Sequence, residues 1–169
     1  MFVMNTLFAQ RFDELDTATL YALLKLRVDV FVVEQNCPYP ELDDLDQNPR
    51  TWHVWTGQGD DITGYLRVLD HPTNVRIGRV CTAVQVRGQG VGDRLMRHAV
   101  SMIGDRPTTL NSQVHVVGFY RRFGFEPFGA QFLEDGIPHV AMRRSSSGIM
   151  TADPTSPGSS DHAGGARNR

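Results

Sequence analysis

The chain has 169 residues, 40% hydrophobic and 21% charged, with 17 Lys and Arg against 19 Asp and Glu. A net charge of −2 lacks the basic excess of a nucleic-acid binder, so no nucleic-acid partner is expected. The two cysteines, Cys37 and Cys81, lie far apart and outside any CxxC, which argues against a disulfide scaffold or a cysteine-based zinc site.

The first residues, MFVMNTLFAQ, have no basic region and too short an apolar run for a signal peptide. No apolar run approaches the ~18 residues of a membrane span. A cytoplasmic protein without a membrane partner is therefore expected. Residues 7–13 read as a first strand. Asp16 suits the N-cap of a helix over 17–31, where Leu20, Leu23, Leu24, Arg27, Val28 and Phe31 recur at helical spacing. Residues 32–35 continue or end that helix before Cys37-Pro38-Tyr39-Pro40 breaks it. Glu41, Asp43, Asp44 and Asp46 then form an acidic loop. It reads equally as a surface that attracts a cationic amine or as a plain solvated loop. A calcium-binding reading fails, because Pro49 and Trp55 stand where an EF-hand starting at Asp44 needs Gly and Glu.

Strands are expected at 51–56, 62–69 and 75–84, separated by the turn signals Gly57 to Asp61 and His71 to Asn74. A helix over 91–103 carries Val91, Leu95, Met96, Ala99, Val100 and Ile103 on one stripe. A strand at 108–113, a short helix at 116–123 with Gly124 as its C′ residue, and closing strands at 125–132 and 138–143 complete the order. From residue 145, Ser, Gly and Pro supply 12 of the last 25 residues without apolar periodicity. The chain thus divides into one domain, 1–144, and a disordered tail, 145–169.

The run Arg87-Gly88-Gln89-Gly90-Val91-Gly92 lies between the strand at 75–84 and the helix at 91–103. Glycines let the backbone approach a ligand closely, and the helix directs unpaired N–H groups and its positive dipole end into the turn. Such a turn holds phosphate or pyrophosphate oxygens through the N–H groups of residues 87–93, with Asp93 favouring the helix dipole. It is not a Rossmann fingerprint, since Asp93 stands where the last Gly belongs, and no Gly-Lys-Ser/Thr makes a Walker motif.

Placed after a strand and before a helix, this run resembles the GNAT family of acetyl-CoA-dependent N-acetyltransferases. That family's signature is Gln or Arg, two residues, Gly, one residue, then Gly or Ala, matched here by Arg87, Gly90 and Gly92. Residues Gly118-Phe119-Tyr120-Arg121-Arg122-Phe123-Gly124-Phe125 are similar to the family's late Tyr-bearing helix and Gly-Phe strand entry. Leu26-Arg27, Phe31 to Tyr39, Ile77-Gly78-Arg79-Val80 and Leu133 to His139 resemble its ElaA-like branch, over about residues 5–144. A departure is His115-Val116-Val117-Gly118, where relatives are more polar; Gly118 costs up to ~1 kcal/mol of helix propensity beside Tyr120.

The resemblance implies an α/β fold: a mixed, mostly antiparallel central sheet flanked by helices, with a splayed strand pair at the acyl-CoA site. It implies acetyl transfer from acetyl-CoA, as cosubstrate, to the primary amine of a small molecule or peptide by direct attack in a ternary complex, without a metal. The alternative is an acyl-CoA-sensing module without turnover. A homodimer is compatible with the family's habit. By the same resemblance, backbone groups of Val80, Cys81 and Thr82 pair with pantetheine, and Arg87, Gly88, Gln89, Gly90, Val91, Gly92 and Asp93 form the pyrophosphate cradle. Tyr120 is the candidate acid that protonates the departing thiolate. For the base, Glu34, His139 and an ordered-water relay remain open, with Glu134 and Asp135 less favoured. Cys81 reads as a small strand residue or, less favourably, as a covalent nucleophile.

Overall fold

The computed structural model describes residues 6–146. Residues 147–169, nearly all of the segment expected to be a tail, lie outside the described residues. Strand β1 (Leu7–Gln10) is shorter than the expected 7–13, because the Glu14 N–H donates to the Arg11 carbonyl at 3.1 Å and closes a 3-10 turn over Phe12–Glu14, with the Glu14 carboxylate accepting from the Arg11 N–H at 2.7 Å. Asp16 caps α1 (Thr17–Val28), accepting from the Thr19 N–H at 2.8 Å. The helical arm runs on as a wider π-helical stretch, Asp29–Glu34.

After β2 (Thr51–Thr56), β3 (Gly64–Asp70) and β4 (Val75–Thr82) comes a 3-10 turn over Val84–Val86, so β4 stops two residues before the expected 84. Helix α2 (Val91–Ile103) has the expected bounds, as does β5 (Thr108–Gln113). Helix α3 (Val117–Arg121) is shorter than 116–123, with its approach taken by a 3-10 turn at Val114–Val116. The strand expected at 125–132 is broken into β6 (Glu126–Pro127) and β7 (Phe132–Glu134), because Gly129 at φ +77° turns the chain away between them. Strand β8 (Ile137–Arg144) closes the domain.

The eight strands make one sheet in the order β1-β2-β3-β4-β5-β8-β6, with β7 also on β8. Every pair is antiparallel except β4 and β5, which touch in register only at Val75–Thr108 and Arg76–Thr109. Beyond Arg76 the two strands part, giving the splayed pair of the expected fold. One face is covered by α2 and α3, with Val91, Leu95, Met96 and Phe123 packed on Val54, Leu66 and Ile77. The other is covered by α1 and its π-helical extension, whose Leu23, Leu26 and Val30 meet Trp55, Tyr65 and Cys81. Each such side chain contributes roughly 1.5–3 kcal/mol on full burial, so the sheet is gripped from both sides. No helix among the described residues is long and apolar enough to cross a membrane.

Gly64 sets the height of α2 above the sheet. A Cβ there would lie 2.7 Å from Val91 Cγ1 and 2.8 Å from Leu95 Cδ1, inside any real contact distance. Gly64→Ala should therefore lower stability by about 1–3 kcal/mol through overpacking, read as a fall in Tm. An unchanged Tm would show that α2 can rise from the sheet without cost.

Candidate functional site

The turn before α2 has the backbone geometry that its sequence requires. Gly88 and Gly90 sit at φ +76° and +77°, where L side chains are strained, and a Cβ at either would meet nothing within 4 Å. Space above both glycines is therefore open. The Arg87 and Gln89 N–H groups are spent inside the turn, on Val84 and Val86 carbonyls. Gly90 is the N-cap and no side chain caps the helix, so the first-turn N–H groups of α2 keep their capacity for an anion. Asp93 lies in that turn, paired with Arg97 at 2.7 Å and Arg122 at 3.4 Å.

A cavity of about 1060 Å³ runs from this turn along the gap between β4 and β5. Val80, Cys81, Thr82 and residues 87–93 line it, together with Tyr120 and His139. Tyr120 is 8% exposed, and burial, with Cys81 nearby, raises its phenol well above the usual value. It therefore stays protonated. Burial likewise pushes the Cys81 thiol up to about 12. The His139 Nδ1–H donates to the Ile137 carbonyl at 2.7 Å, which in the neutral ring makes Nε2 the lone-pair nitrogen; Nε2 lies 3.8 Å from Glu134. Glu134 in turn accepts from Asn111 Nδ2 at 3.3 Å.

Glu34 is not among the residues lining this cavity; it borders a separate groove between α1 and residues 83–85. Its carboxylate is held by both terminal nitrogens of Arg87, at 2.6 and 2.8 Å, and that pairing lowers its pKa. The cavity thus gathers Tyr120, Cys81 and His139, while Glu34 grips Arg87 of the glycine turn from outside.

One wall was not foreseen. The acidic loop is neither a free amine-attracting surface nor a plain solvated loop, because three of its four carboxylates are consumed by arginines. Arg27, fully buried on α1, donates to Glu41 at 2.6 Å and Asp46 at 2.8 Å. Arg67 on β3 donates to both Asp43 oxygens at 2.7 Å and to Asp46 at 3.0 Å. Arg79 on β4 lies 2.8 Å from Glu41 and 3.3 Å from Asp43, with Tyr39 also donating to Glu41. Asp44 alone stays exposed. His53 sits beneath, its Nε2–H donating to the Asp46 carbonyl and its Nδ1 accepting from Tyr65. Burial, the largest cause, lowers the His53 pKa and keeps the ring neutral. The signal for this network was the single Arg27 inside an apolar helical stripe.

Arg79 itself has φ +56°, rare for a residue with a side chain. It occupies a β-bulge: Gly78 faces Arg67 and Cys81 faces Tyr65, so Arg79 and Val80 together oppose Leu66. Among the described residues, no group of three His, Cys, Asp or Glu side chains is placed to hold a metal ion.

Comparison with known proteins agrees with this arrangement. The model of the acetyltransferase (GNAT) domain matches residues 27–146. A UPF0039 protein of Mycobacterium tuberculosis is 46% identical over 140 residues, covering 80% of this chain and 90% of the relative. Protein ElaA of Escherichia coli is 41% identical over 139 residues, covering 78% and 91%. The crystal structure of Escherichia coli ElaA superposes with a TM-score of 0.79 at 38% identity, over 84% of this chain and 100% of that one. An acyl-CoA N-acyltransferase from Pseudomonas aeruginosa gives 0.79 at 40% identity, over 83% and 99%. An aminoglycoside 6'-N-acetyltransferase complexed with coenzyme A shares the fold alone, at a TM-score of 0.60 and 13% identity over 81% and 96%.

The ion network makes stability depend on acid. Burial would raise the Asp43 carboxyl, but Arg67 and Arg79 outweigh it and hold the pKa at about 2, against the ordinary 3.8. A carboxyl depressed on folding stabilises above its unfolded value, and that contribution is lost as pH falls from 3.8 towards 2. Asp43→Asn should lower Tm at neutral pH, and its gap from the parent should narrow through that interval. A gap constant with pH would show that the Asp43 charge is not what Arg67 and Arg79 hold.

Proposed function

The chain belongs to the GNAT acetyltransferase family, and on that premise we propose that it transfers an acetyl group from acetyl-CoA to a primary amine by direct attack in a ternary complex. The observation that carries this reading is one cavity bordered by an uncapped helix N-terminus, a strand released from its neighbour, and a buried, protonated tyrosine. Acetyl-CoA, when bound, supplies the activated thioester. Gly88, Gly90 and the first turn of α2 would hold its pyrophosphate, with the Arg94 guanidinium adding positive charge at the cavity wall. Backbone groups of Val80, Cys81 and Thr82, beyond the last β4–β5 pairing, would hold the pantetheine arm.

Tyr120 donates its phenol proton to the departing sulfur. His139 accepts the proton of the incoming ammonium at Nε2, where Glu134 stabilises the imidazolium formed. Glu34 is a weaker candidate for this task, since its lone pairs are committed to Arg87 and its proton affinity is lowered. It serves instead to fix the cradle arginine. Cys81, protonated at neutral pH, contributes packing and backbone groups rather than a covalent step.

A free-thiol release assay with acetyl-CoA and a broad amine panel tests the reaction; coenzyme A binding without release would favour an acyl-CoA sensor. Gly90→Glu should abolish coenzyme A binding in calorimetry, because the new side chain enters the open space above the turn and brings negative charge. Retained affinity would place the cradle elsewhere. Tyr120→Phe should lower kcat by about 10²–10⁴-fold, the usual worth of a positioned acid, with coenzyme A affinity little changed. Parental turnover in that variant would remove Tyr120 from the chemistry.

A further inference from the structure

The cavity holds charges of opposite sign that the ion network does not neutralise, and they lie at different places along its floor. Arg76 lines the cavity and has no hydrogen-bond or ion-pair partner among the described residues. Its Cα faces Leu69 on β3 and Thr109 on β5, so it shares their side of the sheet. Arg143 faces Thr109 from β8, with its guanidinium over the Phe128 ring at 5.4 Å and no carboxylate partner among the described residues. Two arginines therefore share one cross-strand row with Thr109, and of the two it is Arg76 that lines the cavity. The Thr109 hydroxyl accepts from Asn74 at 2.9 Å and keeps its own proton to donate.

Two residues along β5, roughly 7 Å by strand rise, Asn111 faces the same side. Its amide holds Glu134, the carboxylate beside His139 Nε2. No arginine or lysine lies within 4 Å of Glu134 among the described residues. The neighbouring Asp43, Arg67 and Arg79 are spent on one another. The floor is thus cationic at Arg76 and anionic at Glu134, with the proposed proton acceptor at the anionic end.

We propose that the amine acceptor is an amino acid, its ammonium docked between Glu134 and His139 and its carboxylate drawn to Arg76. This inference rests on the acetyl-transfer reading above. A simple amine would satisfy Glu134 and leave Arg76 facing water. A polyamine would bring a second cation against Arg76. An amino acid matches both ends at once, and Arg presents a planar donor pair suited to carboxylate.

The experiment measures thiol release with matched pairs that differ only in the carboxylate: phenylalanine and phenethylamine, histidine and histamine, lysine and cadaverine. In the parent protein, kcat/KM for at least one amino acid should exceed that of its decarboxylated partner at least tenfold. Arg76→Ala should bring the pair within about twofold, chiefly by raising KM for the amino acid, and Arg76→Lys should restore part of the preference. Coenzyme A affinity by calorimetry checks that the variants fold. Equal or better use of the decarboxylated amines by the parent overturns the proposal, as does a preference that survives Arg76→Ala. No thiol release with any amine, despite coenzyme A binding, defeats the acetyl-transfer reading itself and this inference with it.

Discussion

Three arginines locked to three carboxylates at the joint of α1, β3, β4 and the loop before β2 constrain everything that borders the cavity. Arg27 and Arg67 are buried, and an isolated ion there would be prohibitively costly to desolvate. The charges cancel as a set, three against three, so no member can be removed without stranding another. Breaking one buried pair typically costs about 3–5 kcal/mol, whereas a complete set adds little over an apolar core of equal volume. The network's effect is therefore geometric: it admits one position for the loop carrying Tyr39, Asp43 and Leu45, and that loop is a wall of the cavity. Even so, Arg67 Nε is buried without a hydrogen-bond partner among the described residues, so the set is closed in charge but not in hydrogen bonds.

Position 79 shows what the network does to the backbone. Its positive φ suits glycine, and a side chain there costs roughly 1–2 kcal/mol. A glycine stands one residue earlier, at Gly78, where φ is not positive. The strained place keeps an arginine because its guanidinium reaches Glu41 and Asp43 and stacks over Tyr39 at 5.7 Å. The side chain thus holds the bulge of Arg79 and Val80 that leads into Cys81, on the stretch of β4 released from β5. Strain at this point is stored beside the cavity and offset by the ion pairs.

The sequence made the parts with local signals readable. Alternation and turn residues gave most strands, and the apolar stripe from Val91 to Ile103 gave α2 to the residue. The glycine turn announced its own backbone geometry, since positive φ at Gly88 and Gly90 is a local demand. Long-range pairings were not readable. Arg27 meets partners 14 and 19 positions away, Arg67 reaches back 21 and 24, Arg79 reaches back 36 and 38, and Glu34 meets Arg87 across 53. Nothing in residue spacing distinguishes an acidic loop facing water from one folded onto buried arginines. The broken strand at 125–132 failed for a different reason: its apolar residues suit a strand, but Gly129 redirects the chain.

Self-neutralisation of the loop decides the electrostatic character of the cavity. Four carboxylates read from sequence alone would make that wall strongly negative, yet three of them are cancelled and Asp44 points to solvent. The field left inside comes from the residual charges. At one end are the N-terminus of α2 and Arg94; towards β8 are Glu134 and Asp135, with Arg76, unpaired among the described residues, on the floor. A dipole end and a guanidinium favour phosphate oxygens, while carboxylates free of arginine favour an ammonium. Under the proposed reaction, the two substrates are therefore sorted by charge to opposite ends of a single cavity. Tyr120 and Cys81, both buried, line one stretch of that cavity. Had the loop remained unpaired, its negative field would have reached this stretch and disfavoured the thiolate that forms on transfer. Cancelling three carboxylates behind the wall removes that field while the ends stay charged.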